Sequence, residues 1–381
     1  MTSVFFDHNS TTALKTEVLE AMLPFMVNQQ GNATSRHSFG RAARTAIEHA
    51  REQVATAVNA QPSQVLFTAS GTESNNFAVQ GICSNLEKGQ ILTSAVEHPC
   101  VSRPALAMQV RGWQARSINV DANCNVDMND LQALLAMSTN LVSVMLANNE
   151  TGAIQKIPAI GELARQHKAY MHTDAVQALG KINVDFAALN VHAMTISSHK
   201  IGGPLGAGAL VLDKRVDIQP LLYGGGQERG LRSGTENIPA IVGFGAACEL
   251  AIKNLATFAH HTLHLREVLE TGLAKLNATI FGSESKRIPN TSFFAFPNIE
   301  GETLVTALDK KGFAVASGSA CSSDSSEPSH VLLAMGVDED LARGAVRVSF
   351  GANNTMEQVQ HFLAVLESEL VRLRNLTAIA A

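Results

Sequence analysis

An α/β fold is predicted, with a large, mainly parallel-sheet domain and a smaller α+β domain. Three observations predict it. Short apolar or β-branched runs alternate with longer helical patterns through the first part of the chain. Unusual polar residues follow those runs, which is where open parallel sheets place their ligands. From about Pro239 the alternation gives way to long helical stretches and scattered short strands. A length of 381 residues suits two domains better than one core.

The first expected strand is Val65–Thr68, apolar and β-branched. Ala69-Ser70-Gly71-Thr72 then opens a helix expected over Glu73–Leu86. Small residues at a helix start leave backbone N–H groups free, so Gly71 and Thr72 could cradle a phosphate. An ordinary N-cap by Ser70 or Thr72 is the alternative. The second strand, Ile91–Ser94, precedes His98 and a helix over Cys100–Val110. His98 could be a ring platform, a core histidine or a metal ligand. Metal is disfavoured because no second ligand stands at a suitable spacing.

A helix over Leu131–Met137 leads to the third strand, Leu141–Leu146, and then to Asn149 and a helix over Ala159–His167. The fourth strand, Tyr170–Thr173, ends at Asp174, with Gln177 one turn on. A carboxylate at that place either caps the next turn or pairs with a buried cation. The fifth strand, Ala193–Ser197, runs into Ser198-His199-Lys200, and a glycine-rich turn joins it to the sixth, Ala209–Leu212. Lys200 is a candidate Schiff-base former, because desolvation or a cationic neighbour lowers an amine's pKa. A surface lysine beside a hairpin is the alternative. The glycine run matches neither GxxxxGK[ST] nor GxGxxG before a helix, so a nucleotide loop is disfavoured. Together these residues offer a phosphate cup, a ring platform, a carboxylate for a pyridinium nitrogen and an amine for an aldehyde. Pyridoxal 5′-phosphate demands that set.

Beyond Pro239, helices are expected over Ile241–Asn254 and Thr262–Leu276. Strands are expected at Thr291–Phe296, Phe313–Ala316 and Ala345–Phe350, and a final helix from Met356 to about Arg374. The large domain is expected over 14–255, and the small one over 1–13 with 256–381. Cys321 falls between the last two strands, among small and polar residues typical of an exposed loop. Such a lone cysteine is more often incidental than functional unless the rest of the chain gives it a reaction. The five cysteines (Cys83, Cys100, Cys124, Cys248 and Cys321) form no CxxC pair, and their number is odd. Neither a disulfide framework nor a zinc site is expected, and a reducing cytoplasm suits them.

Hydrophobic residues at 45% suffice for globular cores, and the net charge of −5 disfavours nucleic acid or an anionic membrane as partner. No apolar run reaches the length of a membrane span, and Met1–Asp7 lacks the pattern of a secretory signal.

Several motifs carry a resemblance: Asp7-His8-Asn9-Ser10-Thr11-Thr12, His172-Thr173-Asp174-Ala175-Val176-Gln177, Ser198-His199-Lys200, Arg232-Ser233-Gly234-Thr235, Ser317-Gly318-Ser319-Ala320-Cys321 and Arg347-Val348-Ser349-Phe350-Gly351. Nearly end to end the sequence resembles the NifS/IscS-like cysteine desulfurases, pyridoxal-phosphate enzymes of the class V aminotransferase group. The resemblance implies the fold type I of PLP-dependent transferases and a homodimer. It implies that Lys200 carries the cofactor, Asp174 pairs with the pyridine nitrogen, Gln177 contacts the ring hydroxyl and His98 stacks on the ring. Gly71, Thr72, Ser197 and His199 would hold the phosphate, with Thr235 reaching it from the other subunit. Asn149 would lie near ring and substrate, and Arg347 would clamp the substrate carboxylate.

L-Cysteine would become L-alanine, with a persulfide left on Cys321. A sulfur-acceptor protein, either an iron–sulfur scaffold or a thio-modification carrier, would collect it, with a transient iron–sulfur cluster contact at Cys321. Selenocysteine lyase or another class V aminotransferase-like activity is the alternative; an aminotransferase needs no loop thiol. A non-catalytic, partner-binding role is disfavoured by the joint presence of Lys200, Asp174, His98 and Cys321. The chain departs from the pattern at Gly202, where an aromatic is frequent, and at Leu205, where a lysine is frequent. It also lacks the proline common after Gly31-Asn32 and the longer tail with which housekeeping relatives dock a scaffold, which puts docking to the usual iron–sulfur scaffold in doubt and leaves housekeeping and specialised roles both open.

Overall fold

The computed structural model describes residues 3–318 and 327–380. Cys321 lies outside the described residues. The chain opens with β1 (Val4–Phe5) and then builds a sheet from β2 (Val65–Thr68), β3 (Gln90–Ser94), β4 (Gln114–Ile118), β5 (Thr139–Ser143), β6 (Tyr170–Asp174), β7 (Ala193–Ser197) and β8 (Gly208–Leu212). The order across the sheet is β2-β8-β7-β6-β5-β3-β4. Strands β3 to β7 pair parallel, whereas β8 is antiparallel to both its neighbours. The exception has a local cause. A short turn in which Gly202 and Gly206 take φ of +84° and +81° joins β7 to β8 without a crossover helix.

Successive residues of the central strands feed the two layers of the main core, because side chains alternate across a sheet. Leu92, Val142 and Met194 point into one layer, while Ile91, Leu141 and Ala193 point into the other. Burial on both faces explains why these strands read as continuous apolar runs. The edge strand β4 has a largely polar, exposed sequence, so pattern alone did not mark it. Pattern likewise gave no warning of the helices Thr16–Val27 and Ser38–Ala57, which pack on Ile238–Lys253. The helix expected over Glu73–Leu86 starts earlier, at Gly71, and passes into a π-helical turn over Phe77–Gly81. That turn keeps Phe77, Ala78 and Val79 buried together.

A further core surrounds β9 (Thr279–Ile280), β10 (Thr291–Ala295), β11 (Phe313–Ala314), β12 (Ala316–Ser317) and β13 (Val346–Ser349). The antiparallel order is β12-β13-β10-β9, and β11 pairs instead with β1. The expected strand Phe313–Ala316 is therefore split, its two halves joining different sheets. Phe6 packs edge-on against Phe350 and Phe362, with ring centroids 5.1 and 5.6 Å apart. This burial anchors the N-terminal segment in the second core just before it crosses to the main sheet. Helix Leu255–Lys275 begins ahead of the expected Thr262, and the last helix, Met356–Ala380, runs past Arg374. Among the described residues no single helix is long and apolar enough to cross a membrane, and no cluster of three or more side chains offers a metal site.

Candidate active site

Asp174 is the last residue of β6 and is buried. Its carboxylate accepts the Val176 N–H at 2.9 Å and the Asn75 Nδ2–H at 2.6 Å. Burial pushes this carboxyl above the usual range; the two bonds and the charges of His98 and Lys200 oppose the shift. A cationic N–H placed beside it would favour the ionised form. Asn75 also donates to Cys100 Sγ at 3.0 Å, and Cys100 Sγ lies 2.8 Å from His98 Nδ1. Asp174 and His98 thus belong to one network.

His98 caps the helix Pro99–Ala107, its Nδ1 accepting the Cys100 backbone N–H at 3.1 Å. A backbone N–H can only donate, so Nδ1 carries a lone pair and the neutral ring bears its proton on Nε2. Burial lowers the pKa of His98, which favours that neutral ring. The Cys100 thiol is pushed up to about 12 by burial and by Asp174, so it stays protonated.

Gly71 opens the helix Gly71–Asn76, capped by Ser70 Oγ, which accepts the Glu73 N–H at 3.1 Å. A Cβ at position 71 would stand 3.0 Å from Val176 Cγ2 and 3.4 Å from Ser197 Cβ. Ser197, at the end of β7, is buried, and its hydroxyl has no hydrogen-bond partner. A buried hydroxyl without a partner costs about 1–3 kcal/mol, so this one fits an oxyanion brought by a ligand. Thr72 is exposed in the first turn of the helix.

Lys200 ends the short 3₁₀ turn after β7, and its Nζ donates to the carbonyls of Asn9 and Ser10 at 2.6 Å each. His199 is held by Thr11 Oγ1, 3.1 Å from its Nδ1, and by Thr12, whose hydroxyl donates to its carbonyl at 2.7 Å. Burial brings the His199 imidazole down to about 4. Gln177 Nε2 donates to the Asn9 carbonyl at 2.9 Å. Arg347, on β13, donates to the Asn149 carbonyl at 2.9 Å and pairs with Asp7 at 2.7 Å. Its Nε is buried with no partner, so one N–H of the guanidinium is left for an incoming acceptor. Asn149 is buried at a turn whose N–H groups at Glu150 and Thr151 are held by Asn148 Oδ1.

Asn9 joins most of these groups and was not singled out in the sequence. Its side chain donates to the Asn149 carbonyl at 3.2 Å and to Thr291 at 2.8 Å, and its carbonyl receives both Lys200 and Gln177. Lys181 and Asn75 were also missed. A lysine after Gly180 looks like any surface lysine, and only the fold shows that it is buried. Thr235 stands apart, exposed on a segment held to the cup by the Arg232–Glu73 pair at 2.7 Å.

The donor set fits pyridoxal phosphate: Gly71 and Ser197 for the phosphate, Asp174 for the pyridine nitrogen, His98 for the ring face and Lys200 for the aldehyde. Comparison with known proteins supports the same cofactor. The sequence pattern of the family described as aminotransferase class-V matches residues 4–362. The chain is 42% identical to a protein named cysteine desulfurase IscS from Dictyoglomus turgidum, over 98% of this chain and 96% of that one. It is 41% identical to a cysteine desulfurase IscS from Methanosarcina thermophila, over 98% and 94%. A solved structure titled NifS-like protein superposes with a TM-score of 0.92 at 38% identity, covering 97% of this chain and 99% of that one.

Proposed function

This chain belongs to the class-V aminotransferase family, and on that premise we propose that it is a pyridoxal-phosphate-dependent cysteine desulfurase, converting L-cysteine to L-alanine. The single observation that carries the site assignment is the buried Asp174 at the end of β6, in one hydrogen-bonded network with His98 and facing the charge of Lys200. When bound, the cofactor supplies an electron sink. The chain supplies the rest. Lys200 provides the amine that holds the aldehyde. Asp174 would keep the ring nitrogen protonated, Gln177 would serve the ring hydroxyl, and His98, with its proton on Nε2, would serve the ring face. Gly71, Thr72, Ser197 and His199 take the phosphate.

Arg347 receives the substrate carboxylate beside Asn149, a role suited to a planar guanidinium with a spare buried N–H. Cys321 accepts the substrate sulfur as a persulfide and passes it to an acceptor protein of iron–sulfur assembly or thio-modification, with a transient cluster contact at Cys321. The active unit is a cytoplasmic homodimer in which Thr235 completes the partner's phosphate site. The exposed Leu222 and Tyr223, on the same segment as Thr235, support coverage by a second copy. Two cores support division into 14–255 and 1–13 with 256–381, one drawn almost wholly from the first part and the other from Phe6 and the last part, although a smaller cluster joins Val96 and Met145 to Phe281 and Phe293 across that boundary.

The test is incubation with L-cysteine and a reductant, measuring alanine and sulfide, with L-selenocysteine run in parallel. Wild-type protein is expected to be yellow and to yield both products. Lys200→Ala is expected to lose the colour. Cys321→Ser should keep it and release no sulfide. Sulfide at the wild-type rate from Cys321→Ser would refute the role of that thiol, and faster turnover of L-selenocysteine than of L-cysteine would favour the lyase.

A further inference from the structure

Lys181 is buried, and none of the roles above uses it. It follows Gly180, whose φ of +75° and close approach to Ile201 (a Cβ would stand 2.8 Å from Ile201 Cγ2) exclude an ordinary side chain there. Its Nζ lies 2.7 Å from Asn9 Oδ1 and 2.6 Å from Gln177 Oε1. Both acceptors are amide oxygens, so the amine is placed by neutral dipoles. Burial and the nearby charges of Lys200 and Arg347 lower its pKa well below that of a free lysine.

A buried amide side chain has two nearly isosteric orientations, with oxygen and NH2 exchanged. Charged or neutral, the amine has a hydrogen for each of these two acceptors, and both amides turn their oxygen to it. This fixes Gln177 with Oε1 towards Lys181 and Nε2 towards the Asn9 carbonyl, 2.9 Å away. It fixes Asn9 in the same way. Oδ1 of Asn9 receives Lys181 and also Asn290 Nδ2 at 3.2 Å, so Nδ2 turns to Thr291 and the Asn149 carbonyl. One amine therefore sets two amides. The backbone carbonyl of the same Asn9 receives Lys200. The Nε2 of Gln177 has a second hydrogen, and this one has no role within the network.

We propose that Lys181 is a positioning residue: by holding Oε1 of Gln177 it presents Nε2–H to the ring hydroxyl of the bound cofactor. The inference rests on the proposed contact between Gln177 and that hydroxyl. Its test is titration of the cofactor-free protein with pyridoxal phosphate, comparing wild type, Lys181→Met, Gln177→Ala and the double variant. Each single variant is expected to bind about tenfold more weakly, the equivalent of one hydrogen bond to a charged group. The double variant should bind no more weakly than Gln177→Ala alone, because Lys181 acts through Gln177. The pH midpoint of the bound cofactor's visible absorbance should move equally in both single variants.

Wild-type affinity and midpoint in Lys181→Met would overturn the inference. So would additive losses in the double variant, which would mark a merely structural lysine. If Lys181→Met does not fold, Lys181→Gln takes its place in the same comparison; failure of both to fold would assign a structural role and overturn the proposal equally. No cofactor uptake by the wild-type protein, or wild-type binding by Gln177→Ala, would sink the underlying reading of the site instead.

Discussion

A buried ion pair ties the segment carrying Thr235 to the sheet, and replacing Glu228 by Gln should expose its energetic weight. Arg51 Nη2 lies 2.7 Å from Glu228 Oε1, and Arg51 Nη1 lies 2.8 Å from Glu228 Oε2. The Phe67 backbone N–H donates to Glu228 Oε2 at 2.8 Å, and the guanidinium sits over the Phe67 ring, 4.8 Å from its centroid. The two side chains are only 6% and 3% exposed. Glu228 and Arg229 hold left-handed backbone, with φ of +47° and +60°. Removing the charge leaves the guanidinium with the Val65 carbonyl at 2.9 Å and, as its carboxylate, Glu48, which is 55% exposed.

Breaking a buried pair costs about 3–5 kcal/mol, and glutamine retains one acceptor worth about 1 kcal/mol. Relief of the left-handed residues would return about 1–2 kcal/mol each. That relief requires the segment to leave its place, and Arg229, bonded to the Val65 carbonyl at 2.8 Å, and Arg232, paired with Glu73, oppose it. The net expectation is a loss of about 2–4 kcal/mol, read by urea unfolding of the cofactor-free protein. Arg51→Met should cost a similar amount, and the double variant clearly less than the sum. A Glu228→Gln protein within about 0.5 kcal/mol of wild type, or strict additivity, would refute the reasoning.

Three further outcomes follow from buried polar groups. Ser197→Ala removes an unpartnered hydroxyl, so the cofactor-free protein should unfold at equal or higher urea while pyridoxal phosphate binds about tenfold more weakly; lower stability together with unchanged affinity would contradict the cup. Asp174→Asn should bind the cofactor but lower kcat by about a hundredfold or more, because the ring nitrogen loses its charged partner; single-turnover kinetics decide it. The third is a pH effect. Burial raises the Glu97 carboxyl to about 8, above its unfolded value, with one oxygen bonded by Ser94 and Met145 and the other unpartnered. A raised acid favours folding below the unfolded pKa and loses that contribution as pH rises through the folded one, at about 1.4 kcal/mol per pH unit. Glu97→Gln should therefore remove a decline in stability between roughly pH 4.5 and 8, which parallel unfolding curves for the two proteins across that range would contradict.

How much of this was legible in the sequence differs by residue. Strands buried on both faces were readable as continuous apolar runs, and the buried edge strand Val65–Thr68 and the central Ala193–Ser197 match to the residue. Asp174 and Lys200 stood out as candidates because a sheet places its ligands at those strand ends, whereas Ser197 entered through the resemblance alone. The edge strand β4 was not, since an exposed edge carries no apolar period. Phe313–Ala316 read as one strand, because nothing local marks where a chain leaves one sheet for another. Asn9 and Lys181 were hidden for a different reason. Their meaning lies in partners far along the chain, Thr291 for Asn9 and Asn9 for Lys181, and pattern within a window cannot contain those contacts.

That hidden part organises the site. The stretch Asp7–Thr12 reaches both cores: Phe6, just before it, is locked among aromatics of the second core, and Thr12 donates to His199 at the end of the main sheet. Along it, Asp7 holds the Arg347 guanidinium, Asn9 and Ser10 hold the Lys200 amine, and Asn9 also holds Gln177 and the Asn149 turn. The residue proposed to clamp the substrate carboxylate and the residue proposed to carry the cofactor are thus fixed to one short piece of backbone. A shift of the second core relative to the sheet must then move Arg347 and strain the bonds to Lys200 together. Geometry at a reacting centre is sensitive to displacements of about 1 Å, so this shared reference ties substrate capture to cofactor position more tightly than two independent anchors would.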